Sequence, residues 1–241
     1  MKWTRELLAV ATAASLLLGV VAQTPAYDGG EVKDGGTISG TIKFAGAPPA
    51  RKAIEVTKDK EVCAKEKHQS WDLVVGSDKG IENAVVSLTE VKKGKKWASM
   101  KATLDQRGCV YRPHVVVMPA GGELEILNSD GILHNIHTYS KANPAINKAQ
   151  PKFKKVLTEK FAKAETIRVT CDAHAWMAGW IVVSDHPYVA VTGEKGTFTL
   201  KDVPPGNYKL EIWQETLGKT VKDVTVKAKE EIKLTVELAK K

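Results

Sequence analysis

The sequence predicts an all-β protein made of two sandwiches. Three observations predict it: a series of short runs with β-branched residues in partial alternation, Gly- and Pro-rich turns between them, and two borders where one set of runs gives way to another. The first runs are 37–44 (TISGTIKF), closed by the turn AGAPP, and 82–91 (ENAVVSLTEV). A middle set follows at 114–118, 123–128, 166–170 and 180–184. The last set is 197–201, 207–213, 219–226 and 231–238, with turns TGEKG and VPPGN beside them. The borders fall at the Lys-rich stretch VKKGKK (91–96) and near Asp185–Pro187. Residues 141–164, rich in Lys, read as a long loop with a helical turn.

Composition narrows the class. The chain has 241 residues, 43% of them hydrophobic and 27% charged, which is ordinary for a globular protein and excludes wholesale disorder. Three Cys are too few for a disulfide-dense miniprotein. A single long apolar run excludes a polytopic membrane protein. That run, 7–22, follows Lys2 and Arg5 and ends in small residues, the pattern of a secretory signal cut after Ala22; an uncleaved anchor is the other reading. Residues 1–22 are therefore set aside as a signal peptide, and the mature chain is expected to be exported, as to a periplasm, with no membrane span. The formal net charge of +8 suits an acidic partner. Nucleic-acid binding is not supported, because the lysines are not interleaved with aromatics.

The chemistry concentrates in Cys171-Asp-Ala-His174-Ala-Trp-Met177, a loop between two predicted strands. It places a thiol, an imidazole and a thioether within seven residues. Sulfur plus imidazole suits copper, and a His2Cys set with a weak axial Met is the blue-copper arrangement. The second imidazole comes from His134 or from His137; three apart on a strand, the two face opposite sides, so only one can point at a metal. Met177 alone also reads as a core side chain. His68, His114 and His186 lack a comparable setting. No Cys-x2-Cys-His haem site occurs, and Met in fourth place disfavours zinc.

From about 98 to 185 the chain resembles a cupredoxin, on the run GCVYRPHVVVMPAGGELEILNSDGILHNIH and on Cys-x2-His-x2-Met, the amicyanin-type ligand spacing. The resemblance implies a Greek-key β-sandwich at 97–187 with copper on His134, Cys171, His174 and Met177. It also implies that Asn135 ties the two ligand loops together by hydrogen bonds. Ala175 and Trp176 stand where that branch has Pro and Phe. With Cys171 given to copper, Cys63 and Cys109 are left to pair across 46 residues or to remain two thiols. The edge of His174 is expected to be partly exposed as an electron exit, with Trp176 beside it in a docking patch or in the core.

The C-terminal stretch resembles the carboxypeptidase regulatory-like, prealbumin-type sandwich, through Gly196-Thr-Phe198 and Pro204-Pro-Gly206-Asn-Tyr208. Strands of the kind that open that family stand at the N-terminus. The resemblance implies one sandwich from 36–95 and 188–241 with the cupredoxin inserted; consecutive domains are the alternative.

Together these readings imply an exported type 1 copper electron-transfer protein rather than an enzyme. Its partner would be a redox protein such as a c-type cytochrome or a dehydrogenase. The alternatives are a copper-binding or delivery protein, and a metal-free structural module.

Overall fold

The computed structural model describes residues 27–240; the apolar run of 1–22 lies outside the described residues. Sixteen strands build two pairs of facing sheets. They are β1 (Gly36–Phe44), β2 (Val85–Thr89), β3 (Lys101–Gln106), β4 (Tyr111–Arg112), β5 (Val115–Pro119), β6 (Glu123–Asn128), β7 (His134–Thr138) and β8 (Asn147–Gln150). The chain continues through β9 (Val156–Lys160), β10 (Glu165–Thr170), β11 (Ala178–Ser184), β12 (Val189–Val191), β13 (Thr197–Val203), β14 (Gly206–Gln214), β15 (Gly218–Val226) and β16 (Glu231–Leu238).

The middle strands form a sandwich of two sheets, ordered β4-β3-β6-β9 and β5-β11-β10-β7-β8. Alternation does the work here. In ETIRVT of β10, Ile167 and Val169 point inward while Thr166 and Arg168 point out. Ile126, Ile136, Ile167 and Ile181 are fully buried in the shared core. Each such side chain contributes roughly 1.5–3 kcal/mol by leaving water.

The outer strands form a second sandwich, with sheets β12-β2-β14-β15 and β13-β1-β16. Strands from both ends of the chain meet in each sheet. β1 runs parallel to β16, Thr37 opposite Glu231 through Phe44 opposite Leu238. β12 runs antiparallel to β2, Val191 opposite Val85. Their common core includes Ile38, Ile42, Val86, Ile212 and Tyr188.

Small contacts join the sandwiches. Val85, Val115 and Val182 pack together, and the rings of Trp180 and Trp213 meet edge to face at 4.9 Å. Glu215 accepts a hydrogen bond from Trp180 Nε1 at 2.8 Å and pairs with buried His114.

The expectation for 141–164 needs correction. The segment holds β8 and β9, with no helical turn. β8 pairs with β7 and β9 with β6, and in β9 only Leu157 is buried, so its lysines decorate an edge strand with one apolar anchor. Among the described residues the α-helix is α1 (Lys60–Cys63), in the segment that crosses over the end of the middle sandwich.

Candidate metal centre

β10 and β11 pair antiparallel up to Thr170 opposite Ala178, so the seven residues Cys171–Met177 close a hairpin at one end of the sandwich. Cys171 N–H donates to the Met177 carbonyl at 3.2 Å, and Met177 N–H to the His174 carbonyl at 2.9 Å. These bonds fix Cys171 and Met177 at the base of the loop and His174 at its top. His134 opens β7 on the neighbouring strand. Asn128, inward at the end of β6, shapes the approach: its Nδ2 donates to the carbonyls of Ile132 and Gln150, and its Oδ1 accepts from Gly131 N–H.

Three ligand atoms converge there. His134 Nδ1 lies 3.0 Å from His174 Nδ1, and Cys171 Sγ lies 3.8 and 3.7 Å from the same two atoms. The point equidistant from all three, computed from those edges, is about 2.0 Å from each, a metal-to-nitrogen distance and slightly short for sulfur. All three residues are buried, both histidines completely. Met177 is buried in the same apolar cluster as Cys171.

The far sides of the imidazoles decide which nitrogen is free. His134 Nε2 donates to Asp130 Oδ2 at 2.8 Å, and His174 Nε2 to Asp59 Oδ2 at 2.8 Å. An ionised carboxylate only accepts, so each Nε2 carries a proton and Nδ1 is the nitrogen that each ring turns inward, a lone pair whenever no proton sits on it. Two inward lone pairs and a sulfur repel one another unless a cation or a proton lies between them. This donor set fits a soft, singly or doubly charged metal. Asp130 is itself held by N–H groups of Gly108 and Cys109, at 2.6 and 2.8 Å. A second grouping of Cys109, Asp130 and His134 offers less, since the Cys109 sulfur is in a disulfide.

Protonation follows the geometry. Burial pushes the Cys171 thiol up, but hydrogen bonds from His134 and His174 and the Asn135 N–H outweigh it and bring the thiol to about 6. Burial pulls His134 down, yet the bonds to Asp130 and Cys171 raise it to about 9. Asp130 is lowered: burial opposes, and His134 with the two backbone amides prevails. Without metal the site therefore holds a thiolate beside an imidazolium at neutral pH. Thiolate absorbance near ~240 nm should grow in around pH 6 in the metal-free protein, not around the ~8.5 of a free thiol. A midpoint above 8 would contradict this pairing.

Asn135 links the two ligand loops. Its Oδ1 accepts from the N–H groups of Asp172, at 2.5 Å, and Ala173, at 3.3 Å, while its own N–H donates to Cys171 Sγ at 3.4 Å. Its Nδ2 donates to Asn147 Oδ1 at 2.8 Å. His137 points away from the centre. Its ring is 31% exposed, bonds Asp172 Oδ1 at 2.9 Å and stacks on Tyr139 at 4.6 Å. Cys63 and Cys109 form a disulfide.

One expectation is overturned. His174 has no exposed edge. Asp59, which starts the turn leading into α1, covers its Nε2. Trp176 stands 5.1 Å from the His174 ring and donates through Nε1 to the Cys109 carbonyl at 3.1 Å, so it closes the site instead of forming an open patch. Sequence reasoning missed Asp59 and Asp130. Asp130, four residues before His134, was within reach of a search for carboxylates near a ligand. Asp59 lies 115 residues from its partner and carries no spacing signal.

Comparisons with known proteins give the following. A family model described as polysaccharide lyase family 4, domain II, matches residues 162–234. That span begins in the last two strands of the middle sandwich and runs into the outer one. No curated protein matches the chain. Among solved structures, a purple cupredoxin from Nitrosopumilus maritimus is similar at 20% identity and a TM-score of 0.30, over 34% of this chain and 99% of that one. A reduced amicyanin variant is similar at 21% identity and a TM-score of 0.32, over 37% and 87%. A copper-containing nitrite reductase from Thermus scotoductus is similar at 22% identity and 0.31, over 37% of this chain and 24% of that one.

Proposed function

We propose that this chain is an exported carrier of single electrons that holds one copper ion on His134, Cys171, His174 and Met177 in the type 1, blue-copper manner. The convergence of two imidazole Nδ1 atoms and one sulfur, all buried and with Asp130 and Asp59 fixing the tautomers, carries the reading. Copper bound there would cycle between Cu(II) and Cu(I), taking up and releasing one electron. The protein's part is to hold the donors still. The hairpin Cys171–Met177 sets three of them, Asn135 fixes their distance from His134, and burial of both imidazoles keeps water out. A rigid, dry site of this kind lowers the reorganisation that accompanies each transfer. Both ligand rims are sealed, which favours retention of the metal over delivery to another protein.

Strands 36–44 and 85–89 share sheets with those after residue 188. On that ground we propose one prealbumin-type, carboxypeptidase regulatory-like unit from 36–95 and 188–241, with the cupredoxin of 97–187 inserted as its guest. The partners proposed are a c-type cytochrome or a dehydrogenase, and export rests on the signal pattern of 1–22.

The test is the visible spectrum of the mature protein after addition of Cu(II). An intense blue, green or purple thiolate-to-copper band should develop, bleach reversibly on reduction, and be absent from Cys171→Ser. A folded wild-type protein without that band would sink the proposal.

A further inference from the structure

We infer that electrons enter and leave through the face made by loops 129–133 and 151–155, and that this face docks a redox protein whose contact surface is apolar at its centre and rimmed with carboxylates. The inference rests on the copper reading above and adds the route and the chemistry of the partner.

The imidazole edges cannot serve. His134 and His174 are both 0% exposed, each with its outer nitrogen bonded to a carboxylate. The nearest large exposed side chain along the backbone is Leu133, one peptide bond from His134 and 49% exposed. His134 pairs with Gln150, so loop 151–155 leaves the sheet beside Leu133. Asn128 clamps the two loops by bonding the carbonyls of both Ile132 and Gln150, and its N–H donates to the Lys155 carbonyl at 2.9 Å. A Cβ added to Gly131 would stand 3.9 Å from Lys155 Nζ. Loop 151–155 carries Phe153, which is 84% exposed, the most open of the large apolar side chains described.

An aromatic ring held in water on a tight turn contributes nothing to the core, and such groups at the centre of a polar rim mark contact sites. Here the rim is basic. Lys152, Lys154 and Lys155 flank Phe153, are exposed, and make no ion pair among the described residues. A partner with carboxylates around an apolar centre satisfies both features, and the net positive charge of the chain steers it in. The competing face, His137 and Tyr139, is polar and already occupied: His137 bonds Asp172, and Asp172 bonds Asn147. The transfer balances simply. Copper held there would give up one electron, passing from Cu(I) to Cu(II), and a ferric haem in the partner would take it up and become ferrous, with no bond made or broken.

Two measurements test it. Stopped-flow oxidation of the Cu(I) protein by an acidic c-type cytochrome should slow about tenfold in Phe153→Ala. In the double variant K152E/K154E it should slow about 10–100-fold at low salt, with the difference fading near ~0.5 M salt. The copper band and midpoint potential should stay as in the wild type. Independently of electron transfer, the redox-inert anion hexacyanochromate(III) should broaden the amide NMR signals of 131–133 and 152–155 before any others. Normal rates in these variants, with slowing in His137→Ala or Tyr139→Ala and broadening centred there, would overturn the proposed face while leaving the copper reading standing. A wild-type protein without the copper band would remove the copper reading and the route together.

Discussion

Replacing Cys63 and Cys109 by serine in one double variant should lower stability by about 4 kcal/mol and the melting temperature by roughly 10 °C. The bridge closes 46 residues of sequence, and releasing a loop of that length returns that much chain entropy to the unfolded state in the loop-closure treatment. A second effect should accompany the first. Cys63 ends α1, whose preceding residue Asp59 bonds His174 Nε2, and Cys109 N–H holds Asp130, which bonds His134 Nε2. The same bridge therefore anchors the carboxylates behind both imidazoles. The copper-loaded variant should show a shifted absorption band and faster loss of copper to a chelator. Thermal unfolding followed by Trp fluorescence reads the first effect and chelator kinetics the second. A melting temperature within about 2 °C of the wild type would show that the staple is not needed.

Asn135→Ala should lower copper affinity 10–100-fold and cost about 2–4 kcal/mol of stability. The substitution deletes one acceptor shared by two N–H groups of the ligand loop, Asp172 and Ala173, and one donor to Asn147. Asn135 is 7% exposed, so little water is at hand to replace it. With the tie gone, the Cys171–Met177 hairpin and His134 keep their own backbones but lose their fixed separation. Competition with a chelator of known affinity measures the first figure and denaturant unfolding the second. Unchanged affinity would mean that the backbone pairing of β7 with β10 alone sets the spacing of the ligands.

Much of this was legible in the chain. The strands over 123–128 and 231–238 have the bounds that alternation predicts, because each has one apolar face and one polar face. The trio His134, Cys171 and His174 was readable because a short loop between strands fixes where its side chains can go. What escaped was set by long-range packing. β8 and β9 lack a strong apolar alternation and exist because neighbouring strands offer unpaired backbone groups. The covering of His174 was invisible for another reason. A single aspartate among 28 acidic residues gives no hint that a loop more than a hundred residues away will lay it over an imidazole.

The pairing of β1 with β16 also fixes an order of events. β1 lies between β13 and β16, and both partners come from beyond residue 196. During synthesis, therefore, β1 waits with two unpaired edges until nearly the whole chain has emerged, while the middle sandwich has every one of its strands by residue 184. Contacts of such sequence separation form late and slowly. The middle sandwich is thus expected to fold first, and β1 to join β13 and β16 around it afterwards, which makes the arrival of β16 the step that completes the outer sandwich.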